Sequence, residues 1–191
     1  RQRDAGRPRR PRFLLNETSM LLDNKVCLIT GAASLRSIGY ATAELFAEHG
    51  ARVVVVDLLM NDQVLGNIQA SIEQRLQRPV TLHGLRCDIS KPEDCEAVVQ
   101  EVVRLHGGMD CLVNSAGIVK TQGTLDISPN DLAVMLDVNL KGAFYLCQSA
   151  LKVFVEQRRG NIVNVASLAA QRGGGLVGGA HYAASKGGVL S

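Results

Sequence analysis

Residues 53–56 are four consecutive valines, bracketed by Arg52 and Asp57. β-Branched side chains crowd a helix and fit extended backbone. A strand turns successive side chains to opposite faces, so an unbroken apolar run must be buried on both. That requires a sheet covered by helices on each side, and such sheets are parallel. The rest of the chain agrees. Short apolar runs at 26–30, 80–87, 110–114 and 161–166 alternate with longer amphipathic segments at 38–49, 60–77, 92–106 and 129–157. The last segment is expected to bend near Asn139, and a further helix to begin near His181, after a glycine-rich loop. Gly50 and Gly107-Gly108 close two of the helices, and Pro92 suits a first turn. With right-handed crossovers the pattern predicts a doubly wound α/β fold in three layers, α/β/α. In such a sheet the ligand lies beyond the carboxyl ends of the strands.

The 191 residues suffice for one domain, expected over 20–191. Residues 1–19 are expected to form a disordered basic arm. The net charge of +3 misleads, because the first twelve residues hold six of the 21 bases and one of the 18 acids. Without them the balance is −2, with no basic stripe, so no nucleic-acid partner is expected. No apolar run approaches the roughly 18 residues of a membrane span, and no apolar segment of a signal peptide follows the arginines. Cys27, Cys87, Cys95, Cys111 and Cys147 stand singly, and His49, His83, His106 and His181 show no ligand spacing. No metal site is expected, and free thiols suit a reducing, cytoplasmic compartment.

Residues 30–39, Thr-Gly-Ala-Ala-Ser-Leu-Arg-Ser-Ile-Gly, join the first strand to the first helix. Small residues there let the backbone approach a pyrophosphate, and the helix N-terminus favours its charge. Gly31, Ser34, Ser37 and Ile38 are the expected cofactor contacts. Asp57 ends the second strand, where a carboxylate accepts hydrogen bonds from both ribose hydroxyls and repels a 2′-phosphate. That favours NAD over NADP, with Arg36 as the opposing feature. Asp88-Ile89 ends the third strand, placed for an adenine amino group. Asn114-Ser115-Ala116-Gly117 ends the fourth, where small residues let a flat ring pass; Asn114, Ala116 and Gly117 are taken as contacts.

His181-Tyr182-Ala183-Ala184-Ser185-Lys186 carries the chemistry. Residues four apart share a helix face, so phenol and ammonium stand side by side. An adjacent ammonium favours the phenolate form, and tyrosine then exchanges a proton with a substrate hydroxyl or carbonyl. Chance produces a Tyr-x-x-x-Lys spacing too. Ser167, directly after the fifth strand, adds a hydroxyl for the substrate oxygen. Asn139 reads either as a holder of water behind Lys186 or as a satisfied core asparagine.

Together these motifs, in this order from about Leu21 to Ser191, resemble the short-chain dehydrogenase/reductase family and its 3-oxoacyl-carrier-protein-reductase-like branch. The resemblance implies a Rossmann-like fold, a nicotinamide cofactor and reversible oxidation of a secondary alcohol to a ketone. It makes Tyr182 the general acid/base and Lys186 its activator and a ligand of the nicotinamide ribose. Ser167 orients the substrate and Asn139 supports a relay water. It also implies a homo-tetramer or homo-dimer. Two features depart from the family. The glycine turn is two residues longer, with Ser37 in place of its middle glycine, partly like enoyl reductases. The Ser167–Tyr182 interval is also about two residues longer. Relative to the family the chain is expected to be truncated at its C-terminus, lacking the last strands and a substrate-covering loop, and so weakly stable and poorly active alone. A non-catalytic nucleotide-binding protein on the same fold and an enoyl-reductase-like enzyme are the alternatives.

Overall fold

The computed structural model describes residues 20–174 and 177–191. The basic arm expected at 1–19, and Gly175 of the glycine-rich loop, lie outside them. Among the described residues five strands form one parallel sheet: β1 (Val26–Thr30), β2 (Arg52–Asp57), β3 (Leu82–Arg86), β4 (Cys111–Asn114) and β5 (Asn161–Asn164), in the order β3-β2-β1-β4-β5. The helices are α1 (Ile38–Glu48), α2 (Asp62–Leu76), α3 (Pro92–His106), α4 (Pro129–Leu136), α5 (Gly142–Gln157), α6 (Ala169–Arg172) and α7 (Ala180–Leu190).

The valine run behaves as its pattern requires. Val53 and Val55 pack with Ile68, Ile72 and Ala43 on the α1/α2 face. Val54 and Val56 pack with Val99, Leu112 and Leu146 on the α3/α5 face. All four are buried, and each contributes about 1.5–3 kcal/mol of apolar burial. Chain order reverses between β1 and β4, the switch point at which doubly wound sheets open a crevice.

Several boundaries differ from the sequence reading by one or two residues, three of them for a clear local reason. The third strand starts at Leu82 rather than at 80, because Val80 is held by α2: its N–H donates to Glu73 Oε1 at 3.1 Å and its carbonyl accepts from Gln69 Nε2 at 3.0 Å. The fifth strand stops at Asn164, since its partner β4 ends at Asn114 and only Val165 N–H still reaches Asn114 O, at 2.9 Å. α1 ends one residue early, with Gly50 just beyond its cap at φ +87°. The expected bend in the long helix is a π-helical segment, Asp137–Lys141, separating α4 from α5. Among the described residues no helix is long and apolar enough to cross a membrane, and no group of three or more His, Cys, Asp or Glu side chains is placed to hold a metal.

Candidate active site

The β1–α1 turn is shaped by two glycines. Gly31 has φ +74°, and a Cβ there would lie 2.7 Å from Ala116 Cα. Only a residue without a side chain lets the β1 and β4 ends close on each other. A Cβ on Gly39 would lie 2.5 Å from Gly31 O, so α1 begins against the turn itself. Ser37, in the position of the missing glycine, caps α1: its hydroxyl accepts from Tyr40 N–H at 3.0 Å. Thr30, buried at the end of β1, had no role in the sequence reading. Its Oγ1 accepts from the N–H groups of Ser115 and Ala116 at 3.2 and 3.1 Å, stapling β4's exit to β1. The available signal was a hydroxyl at the end of an otherwise apolar buried strand.

At the carboxyl ends of these strands lies a cleft of about 590 Å³, within the usual range of ligand pockets. Gly31, Ser34, Ser37, Ile38, Asp57, Asp88, Ile89, Ala116 and Gly117, all expected cofactor contacts, line it. Leu58, Leu59, Val64, Cys87, Ile118 and Val138, which motif spacing did not single out, are also among its walls. Asp57 accepts from Ala33 N–H and from Leu59 N–H, one bond on each carboxylate oxygen, both at 3.1 Å. Each oxygen keeps a second lone pair for a ligand hydroxyl. Asp88 accepts from the Ser90 hydroxyl at 2.7 Å, which holds its carboxyl below the usual range. Arg36 is exposed and outside the cleft walls. Asn114 is placed elsewhere too: its amide donates to Asn164 Oδ1 at 2.8 Å and ties β4 to β5.

Tyr182 and Lys186 stand on α7 and are not part of the cleft lining. Lys186 is buried, its Nζ donates to Val165 O at 2.8 Å, and burial pushes its pKa below the ordinary lysine value. The Asn139 amide clips Ile118 at both ends, with Oδ1 accepting from Ile118 N–H at 2.8 Å and Nδ2 donating to Ile118 O at 2.9 Å. Nδ2 also donates to Ser185 Oγ at 3.1 Å, and Ser185 in turn donates to Tyr182 O at 2.7 Å. The π-helical turn thus carries a fully buried amide that joins the cleft-wall loop to the helix of Tyr182. Ser167 is half-buried where β5 leads into α6, its Oγ accepting from Ala169 N–H at 3.2 Å. The cleft meets Asn139 and Lys186 at Gly117. A Cβ there would lie 3.1 Å from Asn139 Oδ1 and 3.6 Å from Lys186 Nζ.

A family profile described as short chain dehydrogenase matches residues 25–191. An uncharacterized short-chain type dehydrogenase/reductase of Sinorhizobium fredii is 41% identical over 156 residues, 80% of this chain. The 3-oxoacyl-[acyl-carrier-protein] reductase FabG of Thermotoga maritima is 36% identical over 149 residues, 78% of this chain. The chain spans 58% of the length of each of these relatives. Among solved structures, NAD+-bound xylitol dehydrogenase superposes with a TM-score of 0.77 at 32% identity, over 89% of this chain and 62% of that one. Levodione reductase gives 0.79 at 30%, over 88% and 63%. Sheet order, switch-point cleft and sequence likeness agree, and the chain belongs to the short-chain dehydrogenase family.

Proposed function

We propose that this chain carries the cofactor-binding and catalytic parts of an NAD-dependent oxidoreductase that interconverts a secondary alcohol and a ketone. The observation that carries the reading is the junction at Gly117, one residue that both walls the cleft and packs on Asn139 and Lys186. A dinucleotide suits this cleft: the glycine turn is open to a pyrophosphate, and Asp57 has lone pairs left for both ribose hydroxyls. The 2′-phosphate of NADP would meet that carboxylate, so NAD is preferred. Bound nicotinamide supplies the hydride acceptor or donor.

The side chains do the rest. Tyr182 Oη takes the proton from the alcohol or returns it to the ketone, and Lys186 stabilises the phenolate. Ser167 Oγ holds the substrate oxygen. Asn139 fixes the Ile118 loop, with one lone pair of Oδ1 left for a relay water. Exposed Phe144, Leu151 and Val155 share one face of α5 and support an assembly of two or four chains. Five free thiols suit a cytoplasmic setting.

The test is Tyr182→Phe, assayed by nicotinamide absorbance against a panel of secondary alcohols and ketones. Turnover is expected to fall roughly 10²- to 10⁴-fold, with NADH affinity, read by fluorescence titration, unchanged. Retained turnover would refute the assignment. Asp57→Ala, in the same titration, should narrow the preference for NAD over NADP.

A further inference from the structure

Tyr182 stands in the first turn of α7, and that turn is seated on residues some sixty positions earlier. Gly179 N–H donates to Lys120 O at 3.1 Å and Gly178 N–H to Thr121 Oγ1 at 3.3 Å. Gly178, at φ +77°, abuts the base of the tyrosine side chain: a Cβ there would lie 2.8 Å from Tyr182 Cγ and 2.9 Å from Tyr182 Cβ. A Cβ on Gly179 would lie 2.7 Å from Gln122 O. Residues 120–122 therefore form the bed under the start of α7.

One carboxylate holds that bed. Asp131 Oδ1 accepts from Lys120 Nζ at 2.6 Å, and Oδ2 accepts from Gln122 Nε2 at 3.2 Å and from Ser128 Oγ at 2.9 Å. Lys120 above all, then Gln122 and Ser128, keep the Asp131 carboxyl far below the usual carboxylate range. Asp131 N–H also donates to Ser128 Oγ at 3.0 Å, capping α4.

We propose that Asp131 is a positioning residue for Tyr182: its carboxylate fixes residues 120–122, against which Gly178 and Gly179 seat the first turn of α7. Asp131 touches no reacting atom and acts through Lys120 and Gln122. The inference rests on the reading of Tyr182 as the acid/base.

Lys120 separates this role from helix capping, because removing its ammonium leaves the Ser128–Asp131 cap intact. The full chain, labelled with ¹³Cζ-tyrosine, gives signals from three residues, Tyr40, Tyr145 and Tyr182, and Tyr182→Phe assigns the third. In Lys120→Met and Asp131→Asn the Tyr182 signal is expected to shift or broaden while the other two stay in place. Thr121→Val should do the same more weakly, and Thr121→Ser should restore it. Turnover in Lys120→Met should fall roughly tenfold at unchanged NADH affinity, a kcat effect of the size small misplacements cause. An unmoved Tyr182 signal in Lys120→Met overturns the proposal, even if Asp131→Asn moves it, since the effect then belongs to the α4 cap. If Asp131→Asn fails to fold, Lys120→Met decides alone. Retained turnover in Tyr182→Phe would remove the acid/base reading while the resonance positions still report how α7 is seated.

Discussion

On the β1–β3 side of the cleft close backbone packing does much of the fixing, with Thr30, Ser37 and Asp57 adding side-chain bonds to backbone N–H groups. Gly31 and Gly39 let main chain approach main chain, and β1 and the valines of β2 beneath are buried on both faces. On the β4–β5 side β5 is largely exposed, and the groups around Tyr182 are held by side-chain clips: Asn139 on Ile118, Ser185 on Tyr182 O, Asp131 on Lys120. The first region resists change through sterics and register. The second depends on individual hydrogen bonds spanning many residues of sequence. On the proposed reading, a dinucleotide needs a fixed concave wall and a proton donor must be held at one place on a helix, and the two regions would meet those needs by different means.

This contrast can be broken at either end. The largest effect is expected for Gly31→Val, which forces a β-branched residue to positive φ and drives side-chain atoms into Ala116. A loss of about 3–5 kcal/mol is expected in urea denaturation, with loss of NADH binding. Asn139→Ala attacks the other side, leaving Ile118's N–H and carbonyl and the Ser185 hydroxyl without this partner. It should cost about 2–4 kcal/mol, with turnover falling further than cofactor affinity.

Two milder comparisons sharpen the picture. Val54→Ala, in the fully buried run, should cost about 2 kcal/mol, whereas Val163→Ala on exposed β5 should stay within about 0.5 kcal/mol. The smallest effect concerns His83 and His106, which bridge β3 and α3 through ring nitrogens 2.9 Å apart. Burial first, then His83 and Arg52, push the His106 pKa below its ordinary 6.5. The unfolded chain then binds the extra proton more readily, so stability is full above that ordinary value and falls as pH drops toward the lowered folded one. Thermal midpoints between pH 7.5 and 5.5 should show this decline, and His106→Phe should flatten it.

The elements with strong local signals were legible in the sequence. The bounds of β1, β2 and α3 follow from apolar runs ended by Gly31, by Asp57, and by Pro92 with Gly107. Much of the cleft lining follows too, since strand ends and small residues are written locally; nine of the expected contacts line it. What the sequence hid is long-range. Nothing near Thr30 announces a bond to Ala116, 86 residues on. Nothing near Asn114 says that its amide will turn to Asn164 rather than to the cleft. Val80 looks like strand, yet two α2 side chains capture its backbone. Such choices are made by partners that only the folded chain brings near.

The π-helical turn at Asp137–Lys141 has a consequence for how this chain tolerates changes in length. A π turn holds one residue more than an α turn, and each helical residue rotates the helix by about 100°. Deleting a single residue between 137 and 141 would let α4 and α5 fuse into one regular helix. Asn139's amide would then swing off Ile118, or α4 would carry Asp131 away from residues 120–122, the bed beneath α7. Elsewhere on a helix surface a point substitution is the severe change and its packing the casualty. Here the most damaging edit is a one-codon deletion that leaves every remaining side chain chemically unaltered.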